Sequence, residues 1–188
     1  MHNIETFQLL TEYTDLVLKW NKSINLISKN TIDDIWTRHI KDSMQLMNYL
    51  NKTDYVIDIG SGAGFPAIVL SILGVHNITL VESDIRKTVF LLQAAKISSN
   101  NIIVKNLRVE NFKSECDVIT SRAFASLIDI FKYTQNIFVR NKYLLMKGKN
   151  YLNEIEAAKE KWNFDIKIYD SLSSMDGKIL EIKNLWQK

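Results

Sequence analysis

Residues 55–66 read YVIDIGSGAGFP: an apolar run carrying Asp58, then glycines at 60, 62 and 64, then the only proline of the chain. Three of the six glycines fall within these five positions, 60 to 64. A strand that passes through a glycine turn into a helix is an arrangement that holds nucleotides and phosphates, because backbone N–H groups at the helix start face the ligand. Glycine removes the Cβ atoms that would keep a ligand off the backbone, and Pro66 suits a first helical turn, where its missing N–H costs nothing. Spacing separates the candidate ligands. A dinucleotide fingerprint starting at Gly60 requires glycine at 65, where Phe65 stands, and a P-loop requires a Gly-Lys-Ser/Thr ending that is missing.

What is left, G-x-G-x-G two residues behind Asp58, resembles the S-adenosylmethionine loop of Rossmann-like methyltransferases. That ligand has no phosphate; its methionine and ribose parts would lie against the exposed turn, with Asp58 able to meet the ammonium group. Glu82 closes the second apolar run, 22 residues after Gly60, where an acid can accept hydrogen bonds from ribose hydroxyls. Ser61 and Ser83 border the same two strand ends. The acceptor is narrowed by what each chemistry demands. Methylation of an exocyclic amine ordinarily uses an N/D-P-P-Y/F motif, which a chain with one proline cannot contain. Methylation of a pyrimidine carbon needs a cysteine nucleophile, and the single Cys116 opens a strand, far from the C-terminal edge where ligands bind. The acids are too scattered to propose a metal cluster. A ring nitrogen with a free lone pair, such as guanine N7, needs no general base; alignment and tolerance of the developing charge suffice.

The elements that must carry these groups alternate. From residue 55 onwards strands YVIDI, NITLVE, NIIVK, CDVITS and YLLMKG are separated by helices at about 66–73, 85–97 and 126–138, and a further helix at about 151–161 precedes DIKIYD and KILEIK. Strand–helix alternation predicts right-handed crossovers and a mostly parallel, doubly covered sheet. The last two strands are joined only by SLSSMDG, with a turn at Asp176–Gly177, and should pair antiparallel. Before residue 50, Phe7, Leu10, Tyr13, Val17 and Trp20 mark one helical face, and Trp36, Ile40, Met44, Met47 and Leu50 another, the second helix opening on a capping box from Thr31 to Asp34. The expected organisation is a helical extension, 1–50, packed on a single compact domain, 51–188. With 188 residues, 46% hydrophobic and 24% charged, the chain suits one soluble domain. No apolar run approaches a membrane span, the N-terminus does not look like an export signal, and one cysteine fits a cytoplasmic location. A net charge of +3 points only weakly to a polyanionic partner.

The segments KWNKSINLIS, RHIKDS, DIGSGAGFPAIVLSI, SRAFASL and LLMKGK, in this order from Lys19 onwards, resemble the bacterial glucose-inhibited division protein B family. The resemblance implies an α/β, Rossmann-like class I methyltransferase fold: a seven-stranded, mostly parallel sheet with its last strand inserted antiparallel between the fifth and sixth, and N-terminal helices packed against it. It implies methylation of N7 of guanosine 527 in 16S ribosomal RNA with S-adenosylmethionine, by direct in-line transfer without a general base. The expected partner is 16S ribosomal RNA within the small subunit, with no membrane, and the expected state is a monomer. Gly60 and Phe65 match cofactor-binding positions of that family, Val109 and Glu110 match the pair that meets the adenine, and Arg122 matches the arginine between cofactor and acceptor base. Cofactor binding is therefore expected at Asp58, Gly60, Ser61, Gly62, Gly64, Phe65, Glu82, Ser83, Val109, Glu110 and Arg122, with Arg122 also the catalytic candidate. RNA contacts are expected at Arg38, His39, Arg86, Lys147 and Lys149. Two departures stand out: Ala67 replaces a common glycine, and Lys178 stands where relatives often place an arginine. The alternatives left open are a small-molecule methyltransferase and a non-catalytic ribosome-binding module.

Overall fold

The computed structural model describes residues 4–188 and shows a seven-stranded sheet in the order β3-β2-β1-β4-β5-β7-β6. Its strands are β1 (Tyr55–Ile59), β2 (Asn77–Glu82), β3 (Asn101–Asn106), β4 (Ser114–Arg122), β5 (Ile137–Lys147), β6 (Trp162–Asp170) and β7 (Lys178–Gln187). The first five run parallel, and β7 pairs antiparallel with both β5 and β6. The chain order reverses between β1 and β4, so the crevice at their carboxyl ends is the place where such sheets bind ligands. Both the glycine turn and Arg122 lie there.

The central strands feed two cores by alternation. Val56, Leu80, Val118, Leu144 and Ile179 face one layer, built by α1 (Ile4–Asn21), the short α2 (Asp42–Met44), α3 (Ala67–Ile72) and α4 (Ile85–Ala94). Ile57, Ile59, Val81, Ile119, Leu145 and Leu180 face the other, built by α5 (Leu127–Tyr133) and α6 (Tyr151–Lys161). Two-sided burial explains why YVIDI reads as an unbroken apolar run. Along α1, Leu10, Tyr13 and Val17 are buried as their spacing requires, whereas Phe7 is exposed and stacks on Trp36 with ring centroids 5.3 Å apart.

Three local expectations are corrected. The capping box at Thr31 does not form. Its hydroxyl donates to the Ser28 carbonyl and meets the His39 ring, and residues 29–31 make a 3-10 turn. The following helix is a π-helical stretch, Trp36–Lys41, that runs through α2 into a 3-10 turn, Gln45–Tyr49. The helix expected over 126–138 stops at Tyr133, and β5 begins six residues earlier than YLLMKG, at Ile137. The polar break Arg140-Asn141-Lys142 hid this longer strand. Lys142 is tolerated inside it because it pairs with Glu181 of β7 at 2.9 Å, both side chains largely buried.

Candidate functional site

Gly60, Gly62 and Gly64 all have positive φ, 63°, 55° and 87°, so each supplies a left-handed conformation that other residues adopt only with strain. The turn is stitched to β2: Gly60 and Ser61 donate to the Val81 carbonyl, at 2.9 and 3.2 Å, and Gly62 donates to the Glu82 carboxylate at 2.9 Å. The other Glu82 oxygen accepts from Asp84 N–H at 2.8 Å. The three glycines do different work. A Cβ on Gly64 would come within 2.7 Å of Ile68 and 3.1 Å of Leu91, so this residue lets the turn pack on the core. A Cβ on Gly62 would meet nothing closer than 3.8 Å, so that side is open. A Cβ on Gly60 would collide with the Phe124 ring at 2.1 Å.

The open side of the turn faces a cavity of about 480 Å³, within the size range of small-molecule sites. Of the expected cofactor residues, Gly60, Ser61, Gly62, Phe65, Glu82, Ser83, Val109, Glu110 and Arg122 line it. Asp58 and Gly64 do not; they lie beneath the turn. Phe124, Tyr133, Lys87 and Leu26 line the cavity too; of these, Phe124 and Leu26 stand in segments that carry the family resemblance without a role of their own, and Tyr133 has no signal in the sequence. The residues present fit a nucleoside-type cofactor. The glycine turn leaves backbone bare, the Glu82 carboxylate closes β2 beside it, and Val109 and Glu110 stand on a 3-10 turn after β3.

Asp58 is 1% exposed, and one carboxylate oxygen accepts from the Thr120 hydroxyl at 2.9 Å while the other has no partner among the described residues. Burial pushes its carboxyl up to about 7, against the lowering effect of neighbouring hydroxyls and of the Arg122 charge.

Arg122 closes β4 and is fixed by the N-terminal segment. It donates to the Arg38 carbonyl at 3.0 Å and to His39 Nδ1, lies 3.6 Å from the Asp42 carboxylate, and its guanidinium sits 5.0 Å from the centroid of the Phe65 ring. Because His39 Nδ1 accepts from Arg122, His39 Nε2 carries the proton and donates to Thr31 Oγ1 at 2.8 Å. Burial, reinforced by the Arg122 and Arg38 charges, lowers the imidazole to about 3 and keeps it neutral. Asp42 in turn accepts from Ser171 Oγ at 3.0 Å and from Ser173, joining Arg122 to the β6–β7 turn.

These groups border a second, larger cavity of about 800 Å³, which includes Arg38, His39, Lys147, Lys149 and Lys178. The basic residues differ in availability. Lys149 and Arg38 are exposed. Lys147 is instead held by Glu154 at 2.7 Å and by the Ala125 carbonyl, so its charge is already matched within the fold. Arg86 pairs with Asp84 at 3.0 Å, at the start of α4, and borders neither cavity. Cys116 is fully buried, and burial followed by the Asp117 charge pushes its thiol up to about 12, which leaves no thiolate for nucleophilic chemistry. Among the described residues, no helix is long and apolar enough to cross a membrane.

Residues 6–183 match the family model described as rRNA small subunit methyltransferase G. A Ribosomal RNA small subunit methyltransferase G of Rickettsia prowazekii (strain Madrid E) is 56% identical over 182 residues, covering 96% of this chain and 95% of the relative. The protein of the same name from Rickettsia felis (strain URRWXCal2) is 54% identical over the same shares of both chains, 96% and 95%. Among solved structures, a magnesium protoporphyrin IX methyltransferase from Synechocystis PCC 6803, with bound SAM, superimposes with a TM-score of 0.64 at 12% identity, covering 97% of this chain and 98% of that one. A ribosomal protein L11 methylase from Lactobacillus delbrueckii subsp. bulgaricus gives 0.61 at 17% identity over 76% of each chain. At these identities the structural likeness concerns the fold.

Proposed function

The chain belongs to the rRNA small subunit methyltransferase G family, and from that premise we propose that it methylates N7 of a guanosine, position 527, of 16S ribosomal RNA. It is an S-adenosylmethionine-dependent rRNA methyltransferase, a member of the class I fold. One observation carries the finer reading. The glycine-turn cavity and the larger, partly basic cavity share a wall made of Leu26 and the run Arg122, Ala123, Phe124 and Ala125. A cofactor on one side and a nucleotide on the other would meet at this wall.

When bound, the cofactor supplies an electrophilic methyl group on a sulfonium. The chain's own residues bind and orient. Glu82 accepts from ribose hydroxyls, Val109 backbone and the Glu110 carboxylate read the adenine edge, and the carboxylate of Asp58 offsets the ammonium from below. Arg122 is a fixed cation, its N–H groups committed to Arg38 and His39 and its charge set beside Asp42, and it borders both cavities. From there its charge would meet the cofactor carboxylate or the carbonyl oxygen of the base. Guanine N7 carries a free lone pair, so no proton must leave the nucleophile and alignment is the main contribution. The fully buried Cys116 and the placement of the single proline inside the glycine turn support this acceptor over carbon or amine methylation. We further infer that the assembled small subunit is the substrate, that the protein acts as a monomer and that it works in the cytoplasm.

The test is methyl transfer from labelled S-adenosylmethionine to isolated small ribosomal subunits. Methylation at N7 makes the glycosidic bond labile, so borohydride and aniline should cleave the RNA at one guanosine, only when enzyme and cofactor were both supplied. Label on an exocyclic amine, on a ribose oxygen or at a different nucleotide would overturn the N7 assignment.

A further inference from the structure

Phe124 has no assigned role, yet it stands in the wall between the two cavities and is 37% exposed. Its ring rests on the Gly60 face of the glycine turn, so closely that three of its carbons would lie within 2.8 Å of any Cβ placed there. The preceding residue, Ala123, has φ 52°, a left-handed conformation that is costly outside glycine. On the far side its nearest ring neighbour is Tyr133, 6.2 Å away between centroids. A large apolar ring thus occupies the surface on which a ligand of the turn would lie, on a strained backbone, with the second cavity open beside it.

We propose that Phe124 is a positioning residue that serves both cavities in turn. Without cofactor it covers the Gly60 face. When cofactor takes that face, the ring turns toward the larger cavity and provides the plane against which the acceptor purine stacks. The physical reasons are three. Two groups cannot share the Gly60 surface. A base acted on by an enzyme must leave its own stack and find another π-face, which aromatic side chains supply. And the larger cavity already borders the ring, so it offers the space a turned ring would take. The acceptor half of this inference rests on the rRNA-methyltransferase reading; the movement of the ring does not.

Three variants test it: Phe124→Ala, Phe124→Leu and Phe124→Trp. By calorimetry, S-adenosylhomocysteine should bind the alanine and leucine variants at least as tightly as the parent, because the competing ring is gone. Single-turnover methyl transfer to small ribosomal subunits should fall by roughly tenfold or more, the scale of losing one base–aromatic stack. The tryptophan variant, after subtraction of the parent signal, should shift its emission on addition of S-adenosylhomocysteine alone. A tenfold loss of S-adenosylhomocysteine affinity in the alanine and leucine variants would make Phe124 a fixed wall of the cofactor cavity and overturn the proposal. Unchanged methyl transfer in both would remove the acceptor role, and an emission indifferent to S-adenosylhomocysteine would remove the movement. If the parent enzyme itself transfers no methyl group to small subunits, the rRNA reading fails, and the emission experiment still decides whether the ring moves.

Discussion

At the scale of single residues, the glycines of one turn are not equivalent, and their variants should separate. Gly60→Ala meets both a left-handed backbone and the Phe124 ring at 2.1 Å, whereas Gly62→Ala meets only the backbone cost, with φ 55° and open space around it. The first should lower the unfolding free energy by ~2 kcal/mol or more and the second by ~1 kcal/mol, measured by denaturant titration. Placing Gly60→Ala in a Phe124→Ala background should recover part of the loss, since the ring that collides is gone. Arg122 gives the second prediction. Arg122→Ala should slow single-turnover methyl transfer ~10²-fold, the usual scale for deleting one preorganised cation or donor. Arg122→Lys should recover little, because one ammonium cannot engage the Arg38 carbonyl, His39 and Asp42 in the fixed fork of a guanidinium. Near-parental rates in the alanine variant would reduce Arg122 to a packing residue.

At the scale of elements, the glycine turn is held from above by α1. Tyr13 is fully buried, donates to the Ala63 carbonyl at 2.6 Å and packs on Phe65 with ring centroids 5.1 Å apart. Tyr13→Phe keeps the ring and strands the carbonyl, so stability should fall by about 1–3 kcal/mol in denaturant titrations, with a parallel loss in cofactor-product affinity. Unchanged affinity would show that the turn keeps its shape without α1. Legibility divides along the same line. The turn and Glu82 are readable because each is defined by a strand end and a fixed count along the chain, whereas Arg122 enters only through the family resemblance. Tyr13 reads only as a core-face residue, because its partner is 50 positions away. Phe124 reads as part of a family motif, but its seat on Gly60 comes from the way β4 and β1 lie side by side. The length of β5 is hidden for a similar reason: Lys142 breaks the apolar pattern, and the Glu181 that neutralises it is 39 residues downstream. Local spacing carries the half of the site that one βα unit builds, and long-range packing carries the rest.

At the scale of the whole molecule, two buried titratable groups set opposing pH dependences. The Asp58 carboxyl, raised to about 7 from 3.8 by burial, holds its proton in the folded chain after the unfolded chain has lost it. Its favourable contribution is full below about pH 4 and is lost as pH rises to about 7. His39 is the reverse: lowered to about 3 from 6.5, it contributes above about pH 6.5 and loses that contribution as pH falls. Between these limits the two trends oppose, and variants unmask them. In Asp58→Asn, the fall in unfolding free energy between pH 5 and pH 7.5 should shrink relative to the parent. In His39→Asn, the loss on acidification from pH 6.5 to pH 5 should shrink instead. Parallel pH profiles for parent and Asp58→Asn would mean that the carboxyl is solvated in the native state.

The contacts that fix Arg122 draw on positions spread along nearly the whole chain: Thr31 to His39, His39 to Arg122, Arg122 to Asp42, and Asp42 to Ser171 and Ser173. A chain made N-terminus first therefore has its glycine turn early, and the contacts that fix Arg122 are complete only once the Ser171 and Ser173 hydroxyls have reached Asp42.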